Sequence, residues 1–224
     1  MKAIGIMRFF IITISVLLQF TFISAHSAHA EALKLLALGD SLTAGYGLGP
    51  GDGLTDRLQV KIDEVYGADE VRIINAGVSG DTTKGGLARL DWALYDEPDM
   101  ALVALGGNDM LRGLEPADSF ENLDGILARL QQEGVPVLLA GMLAPANMGA
   151  DYQTDFDQIY PDLAGRYDVV YYPFFLDGVA LEAELNQPDG LHPNRQGVDV
   201  MVTRIFPAIE ALITKTLNTK QKGQ

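Results

Sequence analysis

The sequence predicts an open, doubly wound α/β sheet, and three observations carry that prediction. Five short runs rich in Val, Leu and Ile recur without polar alternation, as strands buried on both faces of a parallel sheet require. Stretches of helical period lie between them. The residues able to do chemistry fall in segments that follow these runs or precede the last helix, at the edge of the sheet where such folds bind ligands.

The first thirty residues stand apart from this pattern. Lys2 and Arg8 are the only charges before Glu31, the run Phe9 to Ile23 (FFIITISVLLQFTFI) is apolar but for short polar residues, and small residues lead to Ala28-His29-Ala30. A basic start, an apolar run and an A-x-A site describe a secretory signal peptide spanning residues 1–30 and cleaved near Ala30. The run is shorter than the roughly 20 residues of a bilayer span, so no stable membrane insertion is expected after cleavage. No cysteine is present to take a lipid anchor. The mature domain is then 31–224, periplasmic or secreted, and of a size for one core.

Within it, Leu33 to Leu38 (LKLLAL) reads as a buried strand ending at Gly39. Thr55 to Tyr66 is helical, with Leu58, Ile62 and Val65 on one face. Val71 to Ile74 is a second strand and Met100 to Leu105 a third. Ser119 to Gln132 is a helix burying Leu123, Ile126, Leu127 and Leu130, and Glu133-Gly134 stops it. Val135 to Ala140 is a fourth strand, whose Pro136 belongs at an early or edge position because it cannot donate to a ladder. Val169 to Tyr172 is the fifth. The last helix runs from near Asn194 to about Leu217 with Val198, Met201, Val202, Ile205 and Ile209 inward. Pro207 is a place for a kink, and Asn218 to Gln224 reads as a fraying polar tail.

The formal charge is −14, and signal cleavage would remove two cations and take it to −16. Such a surface repels phosphate backbones and argues against a nucleic-acid partner. The absence of cysteine excludes disulfides, thiolate metal sites and a cysteine nucleophile.

Four segments carry chemistry. Gly39-Asp40-Ser41-Leu42 follows the first strand, where the scaffold holds a serine rigidly; Asp40 or Ser41 could equally be an ordinary helix cap. Asp189-Gly190-Leu191-His192-Pro193-Asn194 precedes the last helix. His26 and His29 lie in the signal segment, so His192 is the one imidazole of the mature chain, and a carboxylate three residues earlier could fold back onto its Nδ1. The plainer reading is a turn beside a surface histidine. Gly106-Gly107-Asn108-Asp109 follows the third strand and offers an amide donor, or simply a turn. Asn75 to Thr83 follows the second, where Gly80 could present its N–H and Asp81 or Thr82 could cap a helix.

Taken together these segments resemble the SGNH, or GDSL, hydrolases. GDSL at Gly39 to Leu42, the Gly80 loop, GGND at Gly106 to Asp109 and DGLHPN at Asp189 to Asn194 are similar to four of that family's sequence blocks, in the same order. The longer stretches GDSLTAGYGL, NAGVSGDTTKGGLARL, LGGNDMLRGL, PANMG, IYPDLA and DGLHPN resemble the bacterial periplasmic acyl thioesterase I, lysophospholipase L1 and arylesterase subgroup. The resemblance implies a flavodoxin-like three-layer sandwich with a five-stranded parallel sheet. It implies Ser41 as nucleophile, Asp189 and His192 as its partners, and an oxyanion hole made by Ser41, Gly80 and Asn108, with no metal or cofactor. It also implies a small-molecule ester or lipid substrate; a monomer is the default expectation. The loop Gly141 to Pro145 departs from the bulkier or charged lining of that subgroup, so an acyl-chain preference does not carry over.

Other readings are weaker. A nucleotide or flavin binder would use the glycine-rich segment Gly45 to Gly53, but neither phosphate-binding glycine fingerprint is present; the segment reads as a loop near the site mouth. No G-x-S-x-G elbow supports an α/β-hydrolase. Asp151, Asp155 and Asp157 are the carboxylates a metal-dependent hydrolase would need, and their spacing misses a calcium loop. A non-catalytic exported binding module would use the same cleft but would not need Ser41, His192 and Asn108 together.

Overall fold

The computed structural model describes residues 31–222, so the signal segment expected at 1–30 lies outside the described residues. The strands are β1 (Leu33–Gly39), β2 (Val71–Gly77), β3 (Met100–Ala104), β4 (Val137–Ala140) and β5 (Val170–Tyr172). All neighbours are parallel, in the order β2-β1-β3-β4-β5, the flavodoxin-like arrangement. The sheet centre explains the unbroken apolar runs. Leu36 pairs with Ile74 on one side and Ala101 on the other, and every residue of β3 is buried. Pro136 lies just ahead of β4, an interior strand; it contributes its carbonyl, which accepts the Ala101 N–H at 2.9 Å, where an N–H would be required later in the strand.

The helices are α1 (Ser41–Ala44), α2 (Leu54–Tyr66), α3 (Thr83–Ala88), α4 (Leu90–Ala93), α5 (Gly107–Leu111), α6 (Pro116–Gln132), α7 (Ala150–Arg166) and α8 (Arg195–Lys222). α2 packs against α8, while α6 packs against α3 and α7, giving helix layers around the sheet. Each fully buried Leu or Ile in such a layer contributes on the order of 1.5–3 kcal/mol, an upper figure because the unfolded chain is already partly compact.

Three long helices differ from the sequence reading, and the short α4 and α5 have no helical counterpart in it. On α2 the buried stripe is Leu54, Leu58 and Ile62, and Val65 is 48% exposed; the helix begins one residue earlier and its core face follows the i, i+4 spacing from Leu54. Helix α7 has no counterpart among the predicted elements. Its polar run and internal Pro161 mask a buried stripe of Phe156, Ile159, Tyr160 and Leu163, which tertiary packing against α6 makes decisive. The polar residues after Leu217 remain helical to Lys222. Ion pairs of Lys215 with Asp168 at 2.7 Å and Lys220 with Asp99 at 2.5 Å fasten that turn to the body of the protein.

Candidate active site

The site lies where β1, β2 and β3 end. Asp40 caps α1, its Oδ1 accepting the Leu42 N–H at 3.0 Å, and so turns the chain sharply at Ser41. From the opposite side, the segment before α8 is held as a tight loop. Gln187 N–H donates to the His192 carbonyl at 2.7 Å, Gly190 N–H to the Gln187 carbonyl at 2.9 Å, and Asn194 N–H to the Leu185 carbonyl at 2.9 Å. Gly190 sits at φ +70°, a conformation that a residue with a Cβ adopts only with strain. That turn folds Asp189 back on the residues just after it. Asn194 then caps α8, its Oδ1 accepting the Gly197 N–H at 3.1 Å.

The loop and the strand end meet at a hydrogen-bonded chain. His192 Nδ1 is 2.7 Å from Asp189 Oδ2, and His192 Nε2 is 2.9 Å from Ser41 Oγ. The other Asp189 oxygen accepts the N–H groups of Leu191 at 2.9 Å and His192 at 3.0 Å. These backbone donors, with the imidazole contact, hold the Asp189 carboxyl down at about 2, so it is ionised throughout the neutral range. The structure thus brings together Ser41, Asp189 and His192, which are separated by up to 151 residues.

Gly80 and Asn108 arrive from the neighbouring strand ends. Thr82 caps α3, accepting the Gly85 N–H at 3.3 Å, and Asp81 pairs with Arg89 at 2.7 Å. Arg89 also donates to the Gly39 carbonyl at 2.9 Å, tying the Gly80 loop to the end of β1. The Gly80 carbonyl accepts from Arg112 Nη2 at 2.6 Å. Asp109, buried, accepts from the N–H and hydroxyl of Thr83 at 2.9 and 2.6 Å and from the Ser119 hydroxyl at 3.2 Å, pinning α5 to α3 and α6. Asn108 Nδ2 donates to Asp40 Oδ2 at 3.2 Å. Burial pushes the Asp40 carboxyl up to about 6, against the opposing pull of the Leu42 N–H, the Asn108 amide and a positive His192. The sign follows: the folded chain holds this proton more tightly than the unfolded one, so ionising Asp40 costs stability as pH rises from about 4 through 6.

Several site residues were not singled out from sequence. Tyr46, in the loop Gly45 to Gly53, lays its ring over His192 with centroids 4.7 Å apart, and Gln187 Nε2 donates to the Tyr46 carbonyl at 2.8 Å. Tyr160 on α7 is fully buried and donates to the Leu105 carbonyl at 2.9 Å, just before GGND. A Cβ on Gly106 would lie 2.0 Å from that hydroxyl, so the first glycine of GGND makes room for Tyr160. Arg112 and Tyr160 lie within the LGGNDMLRGL and IYPDLA stretches, which are the sequence signal for them. Asp151, Asp155 and Asp157 spread along α7, and Asp157 accepts the Ala144 N–H at 2.7 Å. A cavity of about 420 Å³ between α6 and α7, lined by Glu115, Phe120, Asp155 and Ile159, holds no serine or histidine.

Comparison with known proteins places the chain. The model of the GDSL-like lipase/acylhydrolase family matches residues 37–200. The chain belongs to that family. It is 38% identical over 186 residues to the esterase TesA of Pseudomonas aeruginosa, covering 82% of this chain and 91% of that one. It is 39% identical over 189 residues to the thioesterase 1/protease 1/lysophospholipase L1 of Escherichia coli K12, covering 80% and 86%. Among solved structures, AlinE4, an SGNH-hydrolase family esterase, matches with TM-score 0.68 and 47% identity over 81% of this chain and 96% of its own. This family member is therefore a GDSL-type ester hydrolase on a flavodoxin-like sheet. Among the described residues no helix is long and apolar enough to cross a membrane.

Proposed function

We propose that this hydrolase is an exported serine esterase that cleaves aryl, acyl or lysophospholipid esters, and by the same chemistry acyl thioesters, through an acyl-enzyme on Ser41. The observation that carries the reading is the unbroken chain from Asp189 through His192 to Ser41. Ser41 Oγ attacks the acyl carbonyl carbon as its proton passes to His192 Nε2. The imidazolium then gives that proton to the departing alkoxide or thiolate. Water repeats the sequence to free the acid, with His192 again taking and returning one proton. Asp189 holds the Nδ1–H and balances the imidazolium charge.

The N–H groups of Ser41 and Gly80 have no protein acceptor among the described residues, which leaves them for the oxyanion beside Asn108 Nδ2. Ser119, by contrast, is buried with its hydroxyl on Asp109. The esterase name of the Pseudomonas aeruginosa relative and the thioesterase and lysophospholipase names of the Escherichia coli one support the substrate classes. Export rests on the composition of residues 1–30.

One experiment tests both parts. The full chain is expressed in a secreting host, treated with a fluorophosphonate and analysed by mass spectrometry. The expected result is a mature protein beginning at Glu31 with a single adduct on Ser41. An adduct on Ser79, or none, overturns the catalytic reading; an unprocessed N-terminus overturns export alone. Asn108→Ala is expected to lower kcat roughly a hundredfold or more with KM little changed, because an oxyanion donor acts mainly in the transition state. Steady-state kinetics on p-nitrophenyl esters check this, and a KM rise at constant kcat would make Asn108 a substrate-binding group instead.

A further inference from the structure

Asp40 is a buried ionisable group to which the chemistry above gives no task. Its side chain is enclosed, one residue before Ser41, and both its oxygens are engaged. Oδ1 accepts the Leu42 N–H at 3.0 Å and Oδ2 accepts Asn108 Nδ2 at 3.2 Å. An ionised carboxylate has only acceptors, so the edge of Asn108 that faces it must be the nitrogen. The second hydrogen on that nitrogen is then left for the oxyanion.

We propose that Asp40 is a positioning residue of the oxyanion hole, its carboxylate dictating which end of the Asn108 amide faces the reacting carbonyl. The proposal rests on the roles given above to Ser41 and Asn108.

The geometry separates this role from plain capping of α1. The Leu42 N–H requires an acceptor, so in Asp40→Asn the new side-chain oxygen stays on Leu42 and the new NH₂ takes the Oδ2 position. Two amide nitrogens then face each other with no acceptor between them. Turning the Asn108 amide over relieves the conflict and directs its oxygen to where the oxyanion needs a donor. Asp40→Ala removes the partner without forcing the turn, so Asn108 still donates part of the time. The near-isosteric change is therefore the more damaging one. A residue that only caps a helix gives the opposite order, because Asn is a good cap and Ala is not.

Protonating Asp40 acts in the direction of Asp40→Asn. With Oδ1 on Leu42, the proton sits on Oδ2, which loses its charge and becomes a weaker acceptor for the Asn108 nitrogen. The charged and titratable groups around Asp40 are few. His192 stands across Ser41, and its positive form favours the Asp40 carboxylate. Tyr160 approaches from α7, its hydroxyl held well above the usual value by burial. Asp109 on α5 is engaged by Thr83 and Ser119, and Arg89, between α3 and α4, is paired with Asp81. Full activity then needs two deprotonations, at His192 and at Asp40, whose burial raises it to about 6.

The test is steady-state kinetics on p-nitrophenyl butyrate for Asp40→Asn, Asp40→Ala, Asn108→Ala and the double variants, with melting temperatures as the check on folding. Asp40→Asn is expected to lose about a hundredfold in kcat, matching Asn108→Ala, with KM within about twofold, and to lose more than Asp40→Ala. Adding either Asp40 change to Asn108→Ala costs nothing further. The acid limb of log kcat/KM is steeper than a slope of one in the wild type and has a slope of one in Asp40→Ala. Multiplying losses in the double variants, an Asp40→Asn enzyme more active than Asp40→Ala, or a slope of one in the wild type each overturns the proposal. If Asp40→Asn does not fold, the Asp40→Ala cycle and the two slopes decide. A wild-type enzyme that turns over and labels at Ser41 shows that any such failure belongs to Asp40 and not to the site reading.

Discussion

Ser41→Ala is expected to abolish ester turnover, by about 10⁴-fold or more in kcat, while the fold and melting temperature stay close to wild type. The hydroxyl is the atom that becomes covalently bonded to the acyl group, so nothing else in the site can replace it. Its removal costs little stability, since its partner is a partly exposed imidazole and not a buried unpaired charge. Controls come from the rest of the chain, because only Ser79 and Ser119 remain beyond residue 30. Ser79→Ala should keep turnover. Ser119→Ala should keep it too, at a stability cost on the order of 1 kcal/mol for the lost hydrogen bond to Asp109. Parallel assays with hydrolysis followed to single-turnover sensitivity settle the point, and an active Ser41→Ala enzyme sinks the mechanism.

The second large effect is on His192. His192→Ala should remove nearly all turnover together with the imidazole-dependent part of the acid limb. The base must be neutral to accept the Ser41 proton, so activity rises with pH as the imidazole loses its charge. Asp189 remains ionised across this range because its backbone donors hold it at about 2. It holds the Nδ1–H and so fixes the tautomer that leaves Nε2 free to accept the Ser41 proton, and Asp189→Asn should lower the rate by losing that hold. With one imidazole beyond residue 30, NMR can follow it directly. The titration seen there and one ionisation of the kinetic limb should agree within about a unit when substrate dissociates faster than it reacts. A larger disagreement removes His192 as the base.

The candidate site was legible in the sequence because catalysis constrains short segments. Ser41, Gly80 and Asn108 each follow a strand run, and Asp189 and His192 sit in one six-residue turn, so each carries a local signature of glycines around a polar group. What holds these segments in place was less legible. Tyr160 props the end of β3 from 55 residues away, and Asp109 joins α5 to Thr83 across 26; neither spacing has a period or a motif of its own. Asp40 could be read as a cap and is one, but its second oxygen meets Asn108 only because β1 and β3 are neighbours.

The sequence by itself determined the strand runs, the parallel α/β class and the residues offered to chemistry, because burial on both faces and tight turns write themselves into adjacent positions. Tertiary structure alone decided that α7 is a helix, that Val65 faces out, that the chain stays helical to Lys222, and how Asp40 and Asn108 share a hydrogen bond. Each of these depends on a partner distant in the chain: α6 beneath α7, Asp168 and Asp99 under the last turns of α8, one strand end beside another. Local propensity differences of a few tenths of a kcal/mol per residue yield to contacts worth several times as much, and those contacts exist only once the chain has folded.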